Sequence, residues 1–207
     1  IYELRFNGRK VGSDLFTPGW THYFKRVQYQ TYDVTGMLKP GPNAVGATLG
    51  NGWWSGGLGW KGSDQYSQGD LRLICQIVIE YTDGSRETVV TDPTWQSYTS
   101  PIGRNTYYHG ETYDARLEQP GWDAPGFDAK NWWKTAVLEE KPAMLVAQRD
   151  ETIQITEEIP PMQISEPQKG MFIFDFGQNA AGVARLKVED ARPGTEIRLR
   201  SVSYTHL

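Results

Sequence analysis

The 207-residue sequence predicts an all-β fold, an antiparallel β-sandwich followed by the opening strands of a second. Three observations predict it. Apolar and polar residues alternate with a period of two along much of the chain, the spacing of strands with one buried face. Asn-Gly, Asp-Gly and Pro-Gly pairs punctuate those runs and supply the positive-φ positions that tight turns need. No segment carries the apolar period and the length of a proper helix.

The elements come in order. In YELRF (2–6), Tyr2, Leu4 and Phe6 share one face while Glu3 and Arg5 take the other, and Asn7-Gly8 then signals a type I′ hairpin. RVQYQTYDVT (26–35) alternates again, and Pro40-Gly41-Pro42-Asn43 closes the run before AVGATLG (44–50). RLICQIVIEYTDGSRETVVT (72–91) reads as a long strand, a turn at Asp83-Gly84 and a return strand ending near Thr91. TDPTWQ (91–96) and FDAKNWW (127–133) each place an aspartate shortly before tryptophan, as in a capped turn with an anchored indole.

A boundary is expected within ITEEIPPMQISEPQKG (155–170), where acidic residues and prolines interrupt the pattern. Alternation restarts in MFIFDFGQNAAGVARLKVED (171–190), with Phe172, Phe174 and Phe176 on one face, and GTEIRLRS (194–201) begins another strand. Residues 1–158 are therefore read as one sandwich and 159–207 as the start of a second, marginal by itself because so few strands cannot bury two faces. The chain opens without methionine inside a strand pattern, so its natural N-terminus is expected upstream. VSYTHL (202–207) matches one reading frame of a transposon adapter used in library preparation. It is expected to be read-through, with the natural sequence continuing after about Arg200.

Composition narrows the function. A net charge of −4 without a dense lysine/arginine run argues against nucleic-acid and anionic-membrane partners, and no stretch approaches the ~20 apolar residues of a membrane span. Aromatic residues make up 13% of the chain, with eight tryptophans and eleven tyrosines, a content common where sugars are handled and also in large sandwich cores. Cys75 is the only cysteine and alternates with Leu73, Ile77 and Ile79, which makes it a small buried hydrophobe rather than a nucleophile. A lone cysteine permits a reducing cytoplasm without requiring it.

Cofactor and metal motifs are absent. His22, His109 and His206 have no ligand-spaced neighbours, and the glycines of 50–59 fit no dinucleotide or phosphate motif. Neither a metal nor a cofactor is expected.

Two stretches remain as candidate sites. LGNGWWSGGLGW (49–60) packs Trp53, Trp54 and Trp60 among five glycines. Asn51-Gly52 and Gly56-Gly57 imply positive-φ turns that aim Trp53 and Trp54 in different directions. Indole faces suit the apolar faces of sugars, but an exposed triple-tryptophan patch is an aggregation liability, so core or interdomain packing is favoured. YYHGETYDARLEQPGWD (107–123) brings Glu111, Asp114, Glu118 and Asp123 among aromatics. Glu111 and Asp114 are candidates for an acid/base pair or for sugar hydroxyls; turn capping and pairing with Arg116 or Arg104 is the favoured structural alternative.

Taken together, YELRFNGRKVG, PGWTHYFKRVQYQTYDVT, LGNGWW, YHGETYDARLEQPGWDAPGFD and FIFDFGQNAAGVARL resemble bacterial α-L-rhamnosidases in content and order, up to about Arg200. The resemblance implies a galactose-binding-like jelly-roll sandwich as the N-terminal domain and the start of a concanavalin-like domain after it. It further implies that the complete protein removes terminal α-L-rhamnose from glycosides with inversion. That chemistry needs one carboxylic acid and one carboxylate base, which in the family sit on a later (α/α)₆ barrel. No catalytic residue is therefore carried onto this chain, which alone is expected to be inactive. The partners implied are rhamnosylated glycosides, through the full-length enzyme, and the protein's own catalytic domain. Tyr108, Glu111, Tyr113, Asp114 and Arg116 mix aromatic anchors with charge and are the candidates for that interdomain contact. A stand-alone carbohydrate-binding module is the alternative, favoured if the indoles of Trp53, Trp54, Trp60, Trp132 and Trp133 are exposed and coplanar.

Overall fold

The computed structural model describes residues 1–58, 66–67, 69, 71–138 and 144–201; Trp60, His206 and the rest of the 202–207 tail lie outside the described residues. The chain is all-β and of the sandwich type, and it divides into two units, Ile1–Ile155 and Thr156–Leu207.

In the first unit β1 (Tyr2–Phe6) turns through Asn7-Gly8 into β2 (Arg9–Lys10), with φ of 50° and 79° at the two turn residues, the geometry of the expected type I′ hairpin. β3 (Arg26–Tyr29) comes next, and β4 (Val45–Leu49) pairs along the whole of β1, giving the three-stranded order β2-β1-β4. A four-residue helical turn, α1 (Gly52–Ser55), then precedes the hairpin of β5 (Gln76–Glu80) and β6 (Arg86–Val90). β7 (Gln96–Ser97), β8 (Ile102–Thr106), β9 (Gly110–Tyr113), β10 (Trp133–Lys134) and β11 (Met144–Ala147) complete the unit.

The capped turns form as expected and are brought together. Asp92 accepts from the Thr94 N–H at 2.8 Å and Asp128 from the Lys130 N–H at 3.1 Å, each an Asx turn. Their tryptophans are anchored, Trp95 Nε1 donating to the Val90 carbonyl at 3.2 Å and Trp132 Nε1 to Gln119 at 2.9 Å. β7 and β10, which come after these turns, pair antiparallel with Trp133 opposite Ser97.

Three expectations are corrected. The strand before the Asp83-Gly84 turn begins at Gln76, not near Arg72, although Leu73, Cys75, Ile77 and Ile79 do share the half-buried face. One pair, β3 with β11, runs parallel; the long connection between them frees the direction of the returning strand, which a short hairpin does not. The tryptophan loop is helical rather than a double turn, since Gly52 has φ 49° but Gly56 lies at −74°.

Among the described residues, the apolar side chains of Phe6, Val11, Tyr23 and Leu58 form the buried core, together with Thr17, Ser55 and Asp123. The Asp123 carboxylate is matched by Arg5 Nε, and Arg5 also donates to Glu3 at 2.9 Å and to the Gly8 carbonyl at 3.1 Å.

The second unit contains the hairpin of β12 (Gln163–Gln168) and β13 (Met171–Asp175). Its register slips between Ser165 and Gln168, where Pro167 has no N–H for the ladder. Phe172 and Phe174 share a strand face, but Phe176 lies past the end of β13. The alternation expected through 171–190 gives a strand only over Met171–Asp175, and the strand expected to begin in 194–201 does not form; an alternating segment becomes a strand only where another strand completes its hydrogen bonds, and none does so there among the described residues.

Candidate functional site

The tryptophan loop is the centre of an aromatic cluster. α1 is too short to persist by propensity, and its backbone is held by Trp54 and Ser55 N–H groups donating to the Asn51 carbonyl at 3.2 and 3.1 Å. Gly52 sits where a Cβ would lie 2.6 Å from Ile1 Cγ2, and Gly56 where one would overlap the Gly52 carbonyl, so both positions exclude a side chain. Gly52 thus lets the loop close against Ile1, and Gly56 lets it close on itself.

Consecutive positions on this turn send the two indoles apart, as expected. Trp53 lies in a pile, 4.8 Å from the Trp20 ring at 10° and 4.0 Å from the Tyr107 ring at 25°, with Phe16 edge-on to Tyr107 at 5.6 Å. Trp54 meets Tyr23 edge-on at 5.6 Å, lies parallel to Tyr66 at 6.4 Å and carries the Arg72 guanidinium 5.8 Å above its ring. Both are half-buried. Burial raises the Tyr107 hydroxyl to about 12 and lifts Tyr23 further, so these phenols stay neutral inside the cluster. Trp20, 53% exposed, closes the outer end of the pile. Trp20, Tyr23 and Phe16 were missed by sequence reasoning. The aromatic density of FTPGWTHYF (16–24) was the signal available, but partners so far along the chain leave no spacing to read.

The β8–β9 hairpin presents the second candidate group at its tip and along β9. Tyr107 stacks on Trp53 and keeps 36% of its surface exposed, whereas Tyr108 is 57% exposed. The ladder is irregular here because the Thr112 hydroxyl, rather than a carbonyl, accepts the Arg104 N–H at 2.8 Å. Glu111 accepts from Asn105 Nδ2 at 3.1 Å. Asp114 caps a 3₁₀ turn (Ala115–Leu117) through the Arg116 N–H, and the Arg116 guanidinium donates to both its oxygens at 2.8 and 2.6 Å. That pairing holds the Asp114 carboxyl at about 2. Tyr113 donates to Glu118, which pushes its hydroxyl up to about 12.

Asp114 is thus an ionised, doubly engaged carboxylate and is no proton donor near neutral pH. Glu111 and Asp114 each face a partner of their own, Asn105 for the first and Arg116 for the second. Trp132 and Trp133 belong to a separate stack: Tyr98 lies 5.1 Å from Trp133 and 6.0 Å from Trp132, each at 21°, and Trp133 is 56% exposed. Among the described residues, no group of three or more His, Cys, Asp or Glu is placed to hold a metal ion.

The fold and site thus define an aromatic-rich β-sandwich whose indoles lie in ring stacks and whose Asp114 caps a turn. Its sequence matches the model of the α-L-rhamnosidase N-terminal domain over residues 1–157, and residues 165–204 match the bacterial α-L-rhamnosidase concanavalin-like domain. The chain belongs to the bacterial α-L-rhamnosidase family. It is 44% identical over 202 residues to an α-L-rhamnosidase of Streptomyces avermitilis, which covers 97% of this chain and 19% of that protein. An α-L-rhamnosidase of Formosa agariphila is 34% identical over 207 residues, 97% of this chain and 22% of its own length. The chain therefore spans about a fifth of these curated relatives. Among solved structures, the S. avermitilis α-L-rhamnosidase complexed with L-rhamnose superposes with a TM-score of 0.80 at 43% identity, over 86% of this chain and 17% of that one. The native Aspergillus terreus enzyme gives 0.81 at 39%, over 86% and 21%.

Proposed function

We propose that this chain is the accessory, non-catalytic part of an α-L-rhamnosidase that hydrolyses terminal α-L-rhamnose from glycosides. Residues 1–158 are its N-terminal sandwich and 159–207 the opening of its concanavalin-like domain. The observation that carries the reading is the ordered pair of family matches, 1–157 and 165–204, on a chain spanning about a fifth of its relatives. The break between units after Ile155 supports the domain division. Catalysis belongs to other parts of the whole protein, and its rhamnosylated substrates and catalytic domain are the partners of this region.

Within that reading, Trp53 and Trp54 are packing residues: both are half-buried and each is engaged by several rings. Tyr108, Glu111, Tyr113, Asp114 and Arg116 form the surface offered to the rest of the enzyme; Tyr108 and Tyr113 are 57% and 55% exposed on a hairpin braced by its own ion pair. The test is release of L-rhamnose from an aryl α-L-rhamnoside by the whole protein. Release supports the assignment, and a folded whole protein that releases none contradicts it.

A further inference from the structure

Beyond β11 the chain is tied down over the first unit before it leaves it. The Gln148 N–H donates to the Tyr29 carbonyl at 3.0 Å as the last bond of the parallel ladder, and Gln30 Nε2 donates to the Gln148 side chain. Gln28 Nε2 then reaches Asp150 at 3.3 Å. The Leu15 N–H donates to the Ile153 carbonyl at 2.8 Å, an isolated antiparallel bridge. Asp14 stands beside that bridge. Its Oδ1 accepts from the Thr152 hydroxyl at 2.6 Å and from Gln154 Nε2 at 3.2 Å, and its Oδ2 accepts from the Tyr32 hydroxyl at 2.8 Å. Tyr32 is itself seated on Gly12, where a Cβ would lie 2.5 Å from the ring. One carboxylate thus grips the body of the unit with one oxygen and the departing chain with the other.

Past Gln154 the ties stop. Residues 156–161 belong to no strand, helix or turn, and all but Ile159 are exposed. The Met162 N–H donates to the Asp175 carbonyl at 2.7 Å within the second unit, where Glu158 also pairs with Arg185 at 2.7 Å. The division between the units falls at the same place, after Ile155. A bridge one residue wide has little ladder to hold it, so side chains decide whether 148–154 stays down. Fully extended, 156–161 spans roughly 20 Å, and freeing the chain back to Gln148 raises that reach to about 50 Å.

We infer that residues 148–154 form a strap closed by Asp14, a latch that sets the length of the tether between the two units. The inference goes beyond the proposed function, and its test needs no turnover. The 207-residue chain is digested with a glutamyl endopeptidase, as wild type and as Asp14→Ala, Asp14→Asn and Thr152→Val, and each cut is timed by mass spectrometry. The wild type is cut readily after Glu157 in the tether and slowly after Glu151 in the strap. Cleavage of a segment that opens and recloses quickly tracks its open population. Cutting after Glu151 is expected to quicken about tenfold or more in Asp14→Ala, which loses both strap bonds, and about threefold or more in Thr152→Val, which loses one. It stays within about twofold of wild type in Asp14→Asn, because the amide oxygen still accepts from the strap and the Tyr32 hydroxyl can turn to accept from the amide nitrogen. Cutting after Glu80 and Glu87, on the β5–β6 hairpin, is unchanged throughout, which separates an open strap from a loosened fold. If Asp14→Ala does not fold, Thr152→Val and Asp14→Asn decide. Unchanged cutting after Glu151 in Asp14→Ala or in Thr152→Val, Asp14→Asn quickened as much as either, or a rise shared by Glu80 and Glu87 overturns the inference.

Discussion

Asp123 is 8% exposed and ionisable, and it is tolerated because the Arg5 guanidinium meets it from β1. Removing it leaves a partly buried cation with fewer acceptors, so Asp123→Ala is expected to cost about 2 kcal/mol in a denaturant titration. Gly46 faces the Trp122 ring, where a Cβ would lie 2.5 Å from Cζ3, and Gly46→Ala is expected to cost about 1–3 kcal/mol through overpacking. Asp14 supplies a pH signature. The Thr152 hydroxyl, then Tyr32 and Gln154, hold its carboxyl below the ordinary 3.8. Its contribution is therefore present above that value and lost as pH falls through the lower, folded one. Asp14→Asn is expected to make acid unfolding less steep below pH ~4. Tyr107 acts at the other end: raised from 10 to about 12, its contribution is complete below pH 10 and is lost as pH climbs through 12. At this scale the sequence was legible where chemistry is local, as at Asn7-Gly8. It was silent on Arg5 with Asp123, because no spacing links positions so far apart.

At the scale of elements, β1, the hairpin turns and the two Asx-capped turns can be read from alternation and turn chemistry alone. The tryptophan loop shows the opposite case. Its glycines did mark special backbone, yet a helical turn won over a double turn. Asn51 stays in the right-handed helical region, with φ −58°, and the ring pile on Trp53 holds the turn in place. Strands after 177 failed for a different reason, since side-chain pattern supplies a face but not a hydrogen-bonding neighbour. The energetic consequence separates the two aromatic groups. Trp53→Ala removes the middle ring of a three-ring pile and is expected to cost about 2–3 kcal/mol, against less than ~1 kcal/mol for the exposed Trp133→Ala. Thermal denaturation of the two variants compares them directly.

At the scale of the whole molecule, large apolar side chains stand exposed in both units: Met162 is 80%, Phe24 67% and Phe172 56% exposed. β13 carries apolar residues on both faces, the pattern of a strand covered on two sides. Such surface fits a region made to be packed within a larger enzyme. In the whole protein, the double variant Glu111→Ala/Tyr113→Ala is expected to lower kcat/KM or the melting temperature, and leaving both unchanged would remove the β9 surface from the interface. In the proposed function, this region serves an α-L-rhamnosidase without itself performing the reaction. Its most direct test is hydrolysis of an aryl α-L-rhamnoside by the 207-residue chain and by the whole protein, side by side. Turnover by the whole protein alone is the predicted result; turnover by the 207-residue chain would contradict the account and return Glu111 and Asp114 to the centre of the chemistry.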